Sequence, residues 1–150
     1  MAKHGRHPDD LKVMPALIPV VGRTAAEAQA RLDGLQALID SLAGLARIYG
    51  LMGDLSGHDL DGPVPEPVGA RVRSIAYGWW ERSKREGLTI RQMYGEYAVG
   101  EGFRAIGTPG GIADVMEAWM DAGAADGFSI PPTHLPGGID DFVELVVPER

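Results

Sequence analysis

Residues 107–130 read GTPGGIADVMEAWMDAGAADGFSI, and the reading of this stretch decides the fold. Thr108 followed by Pro109 is a helix start: the threonine hydroxyl accepts an orphan amide of the first turn, and proline at the first helical position gives up no helical hydrogen bond. Ile112, Val115, Met116, Trp119 and Met120 then recur at three- and four-residue intervals, so one apolar stripe faces a core. Gly123 ends the helix. ADGFSI, 125–130, reads as an apolar strand closed by Pro131 and Pro132. Just upstream, Phe103–Ile106 reads as a strand that meets Gly107. Strand, helix, strand is one unit of something larger.

The same grammar stands near the start of the chain. In LKVMPALIPVVGRTAAEAQARL, 11–32, an apolar strand from Leu11 to Val21 meets Gly22, and Thr24 with Glu27 three residues on forms a capping box. Helical spacing continues through Ala28, Leu32, Leu35 and Ile39, with a second run over 42–51 after Ser41. GDLSGHDLDGPVPEPVGA, 53–70, is a long crossing loop rich in glycine, proline and aspartate. Helices are expected over 71–85 and 89–98, separated at Gly87 and the second capped by Thr89. A last helix runs from about Ile139 to Val147, after THLPGG.

The chain therefore organises as one partial domain over 1–150: a strand–helix unit 11–52, a loop and helical insert 53–98, and a strand–helix–strand–helix segment 103–147. Strands alternating with helices predict the α/β class, with about three parallel strands joined by right-handed crossovers. Parallel sheets are buried on both faces, and three strands leave two open edges, so the unit is expected to be part of a barrel or of a larger doubly wound sheet.

Composition agrees with a folded protein: 45% of the 150 residues are hydrophobic and 23% charged, a globular balance. With 14 basic against 21 acidic residues the net charge is −7. The basic residues are scattered apart from a short cluster over 82–85, which argues against nucleic acid as a partner. There is no cysteine, hence no disulfide framework and no thiolate chemistry; a reducing cytoplasm is the expected compartment. MAKHGRHPDD at the amino terminus has no apolar segment, and no run reaches the roughly 18 apolar residues of a membrane span, so neither export nor membrane insertion is expected.

Four stretches together, VGRTAAEAQARLDGLQALID (21–40), SGHDLDGPVPEP (56–67), REGLTIRQMYGEYA (85–98) and GTPGGIADVMEAWMDAGAADGFSIPPTHLPGGIDDFVELVVPE (107–149), closely resemble the carboxyl-terminal part of bacterial-luciferase-like flavin monooxygenases. The branch is that of nitrilotriacetate, dibenzothiophene-sulfone and long-chain alkane monooxygenases. The resemblance implies the C-terminal part of a (β/α)8 TIM barrel about three times this length, in which 107–130 supplies the seventh helix and eighth strand and the chain starts within the fifth helix. It implies a two-component monooxygenase: reduced FMN from a separate flavin reductase, dioxygen, and a small organic or xenobiotic substrate that receives one oxygen atom. The protein's own task in such an enzyme is orientation and exclusion of water. The family's FMN-gripping residues lie mostly in the part of the barrel before residue 1, so no cofactor-binding or catalytic residue is carried over. A fragment of this kind is expected to need a complementing amino-terminal barrel half or self-association as a homo-oligomer, or else to be a non-catalytic remnant. A small-molecule binding module resting on the apolar loops after the strands is the third reading. The family usually continues past position 150 with a short basic tail.

Three residues are the candidates for substrate binding. Phe103 and Ser129 stand where members of the family often have histidine and asparagine, at the ends or flanks of strands, and His134 lies in the loop after the last strand, where barrel enzymes work. For His134 the plain alternative is an ordinary loop histidine. His4, His7, Asp9 and Asp10 lack metal-ligand spacing and read as a solvated terminus; GHDLDG lacks the alternating ligands of a calcium loop and reads as turn chemistry, so no metal is expected. The Met116–Trp119–Met120 stripe reads as core. Trp79 and Trp80 diverge by about 100° on a helix, so one of them is available for a substrate entrance or a subunit contact. Gly107 and Thr108 resemble an anion-binding helix start, although a capping threonine needs no ligand. No nucleophile elbow or carboxylate pair supports hydrolysis.

Overall fold

The computed structural model describes residues 5, 7, 10–100 and 102–149. The chain divides into two compact units, one made of 1–32 with 101–150 and the other of 33–100.

The first unit is built on a parallel pair of strands, β1 (Leu17–Val21) and β2 (Phe103–Gly107), in the register Leu17↔Phe103 to Val21↔Gly107. All five residues of β1 are buried, as a run of Leu, Ile, Pro and Val in a sheet covered on both faces should be. Helix α1 (Ala25–Ala37) follows β1. Its start is a variant of the expected box: the Thr24 hydroxyl accepts from the Glu27 amide at 3.1 Å, while the Glu27 carboxylate reaches back to the amide of Arg23 at 2.9 Å.

The expected third strand is reduced to a single bridge. Ser129 donates its amide to the Pro15 carbonyl at 3.0 Å and accepts from the Leu17 amide at 2.9 Å, a parallel bridge to Ala16. Prolines limit it. In a parallel ladder the next pair onward would be Ile18 with Pro131, which needs amide protons on Pro131 and Pro19; the pair before needs one on Pro15. None has one. Segment 125–130 thus lies on the edge of β1 opposite β2, and Pro19 sits within β1 at a position whose missing donor would point away from β2. The expected strand over 11–21 shortens to Leu17–Val21 for the same reason.

Helix α5 (Pro109–Asp121) starts as the sequence predicts, with Thr108 accepting from Gly111, and Gly123 takes a left-handed φ of 65° just after it. The last helix is irregular: α6 (Gly137–Asp141) passes into a π-helical turn over Phe142–Val146 and a 3-10 turn over Val147–Glu149. Leu17, Val21, Ala105, Ile112, Ala113, Phe142 and Val146 form the core of this unit.

The second unit is helical: α2 (Ser41–Met52), α3 (Arg73–Glu86) and α4 (Ile90–Val99). Asp40 caps α2 by accepting from the amides of Leu42 and Ala43, and Thr89 with Gln92 closes a full capping box on α4. Gly87 ends α3 in the left-handed region at φ 67°. The loop between α2 and α3 carries one isolated bridge, Pro63 to Thr89. Ile48, Met52, Leu55, Ala76, Ile90, Met93 and Tyr94 are buried together as the core.

Candidate functional site

Phe103 and Ser129 flank the same short stretch of chain. Phe103 opens β2 and donates its amide to the Ala16 carbonyl at 3.0 Å, on the edge of β1 opposite Ser129. Both therefore stand at the amino-terminal end of the parallel pair, whereas barrel enzymes place their chemistry at the carboxyl ends. The Phe103 ring, partly exposed, stacks at 5.3 Å on Trp119, which lies 6.2 Å from Phe128. This aromatic row accounts for Trp119 by packing.

His134 is exposed and lies five residues beyond Ser129, in the turn before α6. Its Nδ1 stands 3.1 Å from the Thr133 hydroxyl. The ring rests across Gly137 and Gly138: a β-carbon on Gly137 would come within 3.0 Å of Nε2, and one on Gly138 within 3.2 Å of Nδ1. The geometry joins Phe103 and Ser129 through β1, while the contacts of His134 are local to its own loop.

At the carboxyl end of the pair the Gly22 amide donates to the Gly107 carbonyl at 3.0 Å, and α1 and α5 begin there. Each helix start has a carboxylate beside it. The Glu27 carboxylate takes the Arg23 amide, and this hydrogen bond together with Arg31 holds it below its usual range. Over α5, the Glu149 carboxylate lies 3.5 Å from where a β-carbon of Gly110 would stand. A phosphate would meet two carboxylates. The capping reading of Thr108 suffices.

Sequence reasoning missed an apolar groove of about 420 Å³ along α5, lined by Met116, Met120, Phe142, Val146 and Val147 with Glu117 and Asp121 among its lining. Met116 packs on the core as expected, but Met120 is 51% exposed and faces this groove. Val147, which lines the groove, and Val143, four residues before it, are both exposed.

In the helical unit both tryptophans are half-buried in packing of their own. Trp79 meets Tyr97 edge to face at 5.7 Å with the Arg82 guanidinium over it at 5.2 Å, and Trp80 meets Tyr77 at 5.7 Å with Lys84 at 4.0 Å. The GHDLDG loop is turn chemistry: Asp54 accepts from the Ser56 amide, Asp59 from the Asp61 amide, and Asp61 pairs with Arg91. No group of three His, Asp or Glu residues gathers as a metal site among the described residues. His4 and Asp9 lie outside them, and the Asp10 carboxylate accepts from the His7 amide at 2.9 Å. No helix among the described residues is long and apolar enough to cross a membrane.

No protein-family model matches the chain. Curated relatives do. The chain is 42% identical to nitrilotriacetate monooxygenase component A of Aminobacter aminovorans, over 99% of its own length and 34% of the relative's. It is 35% identical to dibenzothiophene-sulfone monooxygenase of Rhodococcus erythropolis, over 96% of its length and 33% of the relative's. Among solved structures, DmoA from Hyphomicrobium sulfonivorans superposes with a TM-score of 0.77 at 27% identity, covering 99% of this chain and 31% of that one. The chain is a homologue of these monooxygenases and spans about a third of their length.

Proposed function

We propose that this chain supplies the carboxyl-terminal third of a luciferase-like, flavin-dependent monooxygenase whose remaining barrel strands complete the active site. The observation that carries the reading is alignment of almost the entire chain, both helical insert and strand pair, with one contiguous third of several monooxygenases. The groove along α5 and the exposed residues Phe103, Ile106 and Met120 are suited to being covered by that remainder.

Reduced FMN from a separate flavin reductase would supply two electrons to dioxygen, so that one oxygen atom enters a small organic substrate and the other leaves as water. At the two helix starts the Glu27 carboxylate accepts from the Arg23 amide and the Glu149 carboxylate lies 3.5 Å from where a β-carbon of Gly110 would stand, charges that disfavour the FMN phosphate there. No step is assigned to them through the flavin. Of the substrate-binding candidates, His134, in the loop after segment 125–130, is the one placed to reach the substrate mouth of a cytoplasmic enzyme, while Phe103 and Ser129 stand at the opposite end of the strand pair. Self-association through the open edge of β2 and the α5 groove is the competing way to cover the same surfaces.

The test is to co-express the chain with the preceding two thirds of the Aminobacter relative and to assay the purified pair with a flavin reductase. Oxygen uptake that depends on nitrilotriacetate, an aromatic sulfone or an alkane supports the reading. Co-purification with no substrate-dependent uptake for any of the three, or a chain found only as its own oligomer, would count against it.

A further inference from the structure

The loop over 131–138 contains an arrangement that a solvated histidine does not require. The Gly138 amide donates to the His134 carbonyl at 3.1 Å, which folds the loop so that the imidazole lies over its own downstream backbone. Positions 137 and 138 are both glycine, and the reason is clearance: neither takes a left-handed φ, but a β-carbon at 137 would stand 3.0 Å from Nε2 and one at 138 would stand 3.2 Å from Nδ1 and 3.4 Å from the Thr133 hydroxyl. The two separations from the ring nitrogens are tighter than ordinary van der Waals contact, so a side chain at either position would make the ring give way by a few tenths of an ångström.

Thr133 engages one ring nitrogen: its hydroxyl lies 3.1 Å from Nδ1, a hydrogen bond that either group can donate. In a neutral imidazole the nitrogen that accepts leaves the other one protonated. We propose that the Thr133 hydroxyl donates to Nδ1 and that Thr133, Gly137 and Gly138 are positioning residues for His134, which hold its ring against the loop and leave Nε2–H to an oxygen atom of a substrate. This rests on the reading of the loop as part of the substrate mouth, and it selects substrates bearing a carboxylate, sulfone or carbonyl oxygen over plain hydrocarbons.

The arrangement is testable without flavin, reductase or turnover, so its failure is distinguishable from failure of the functional reading. In the chain labelled with 15N-histidine, at a pH of about 8 where an imidazole is largely neutral, the multiple-bond 1H–15N spectrum should show His134 with Nε2 protonated. Thr133→Val should turn that signature into an averaged one, and Thr133→Ser, which keeps the hydroxyl, should restore it. Gly137→Ala should abolish the cross-relaxation between His134 and Thr133 while circular dichroism stays that of the parent. A wild-type His134 protonated on Nδ1, or one whose signals are unchanged by Thr133→Val, would overturn the proposal.

Discussion

Gly44 on α2 and Tyr94 on α4 meet with no room for a β-carbon between them: one built on Gly44 would stand 2.4 Å from Cδ2 of the tyrosine ring. Tyr94 is buried at the centre of the helical unit, so the ring has nowhere to retreat. Gly44→Ala should overpack this crossing and cost about 1–3 kcal/mol, against the small gain that alanine brings to a helix elsewhere. Urea unfolding followed by circular dichroism checks it, and an unchanged or raised midpoint would show that the helices can separate freely.

Helix α4 depends on its first turn. Thr89 accepts from the Gln92 amide at 3.2 Å and the Gln92 side chain accepts from the Thr89 amide at 2.9 Å. Thr89→Ala should lower stability by about 1 kcal/mol and Thr89→Ser by much less, read from the same urea transitions.

Phe142 and Met120 both line the groove on α5, yet they should respond in opposite ways. Phe142 is 7% exposed and belongs to the core with Leu17 and Ile112, so Phe142→Ala should cost about 3–5 kcal/mol. Met120→Glu removes an exposed side chain and should change the stability of the chain by less than about 0.5 kcal/mol. It should nevertheless prevent co-purification with the preceding barrel portion. Retained pairing in this variant would remove the groove from the assembly.

Acid should weaken the first unit through specific carboxylates. The Val13 amide and then Lys12 hold Asp126 below its ordinary range, as the Arg23 amide and Arg31 do Glu27. A depressed folded-state value means stability that is fully present above the unfolded value of about 4 and is lost as pH falls through the lower folded one. Asp126→Asn should therefore flatten the fall of the urea midpoint as the pH drops below about 4. An unaltered slope would mean that the Asp126 bonds contribute nothing to the linkage.

What the sequence made legible follows from how local each signal is. The caps at Thr89 and Thr108, the glycine stop at Gly87 and the turn chemistry of GHDLDG are written within four residues of where they act, and each is found in place. Helix α2 is capped by Asp40 and not by Ser41, an error of one residue between two good cap formers. The third strand is shorter than ADGFSI suggests because, besides the adjacent Pro131, two of the prolines that stop its ladder, Pro15 and Pro19, lie more than a hundred residues away on the partner. The α5 groove was hidden because the apolar stripe of that helix is wider than the core it covers, and periodicity alone does not distinguish a residue buried by its own chain, such as Ile112, from one left uncovered, such as Met120. Where Phe103 and His134 stand relative to each other depends on sheet order, which no local pattern encodes.

The most direct test of the account is an anaerobic titration of the chain with reduced FMN, by absorbance and fluorescence, run beside the same titration of the chain paired with the preceding two thirds of the Aminobacter relative. With the Glu27 and Glu149 carboxylates near the helix starts and the flavin grip assigned to the rest of the barrel, the chain alone should show no saturable binding and the pair should bind. Saturable binding by the chain alone, at a solution mass of one chain or of its own oligomer, would contradict the account, because a complete flavin site would then lie within these 150 residues.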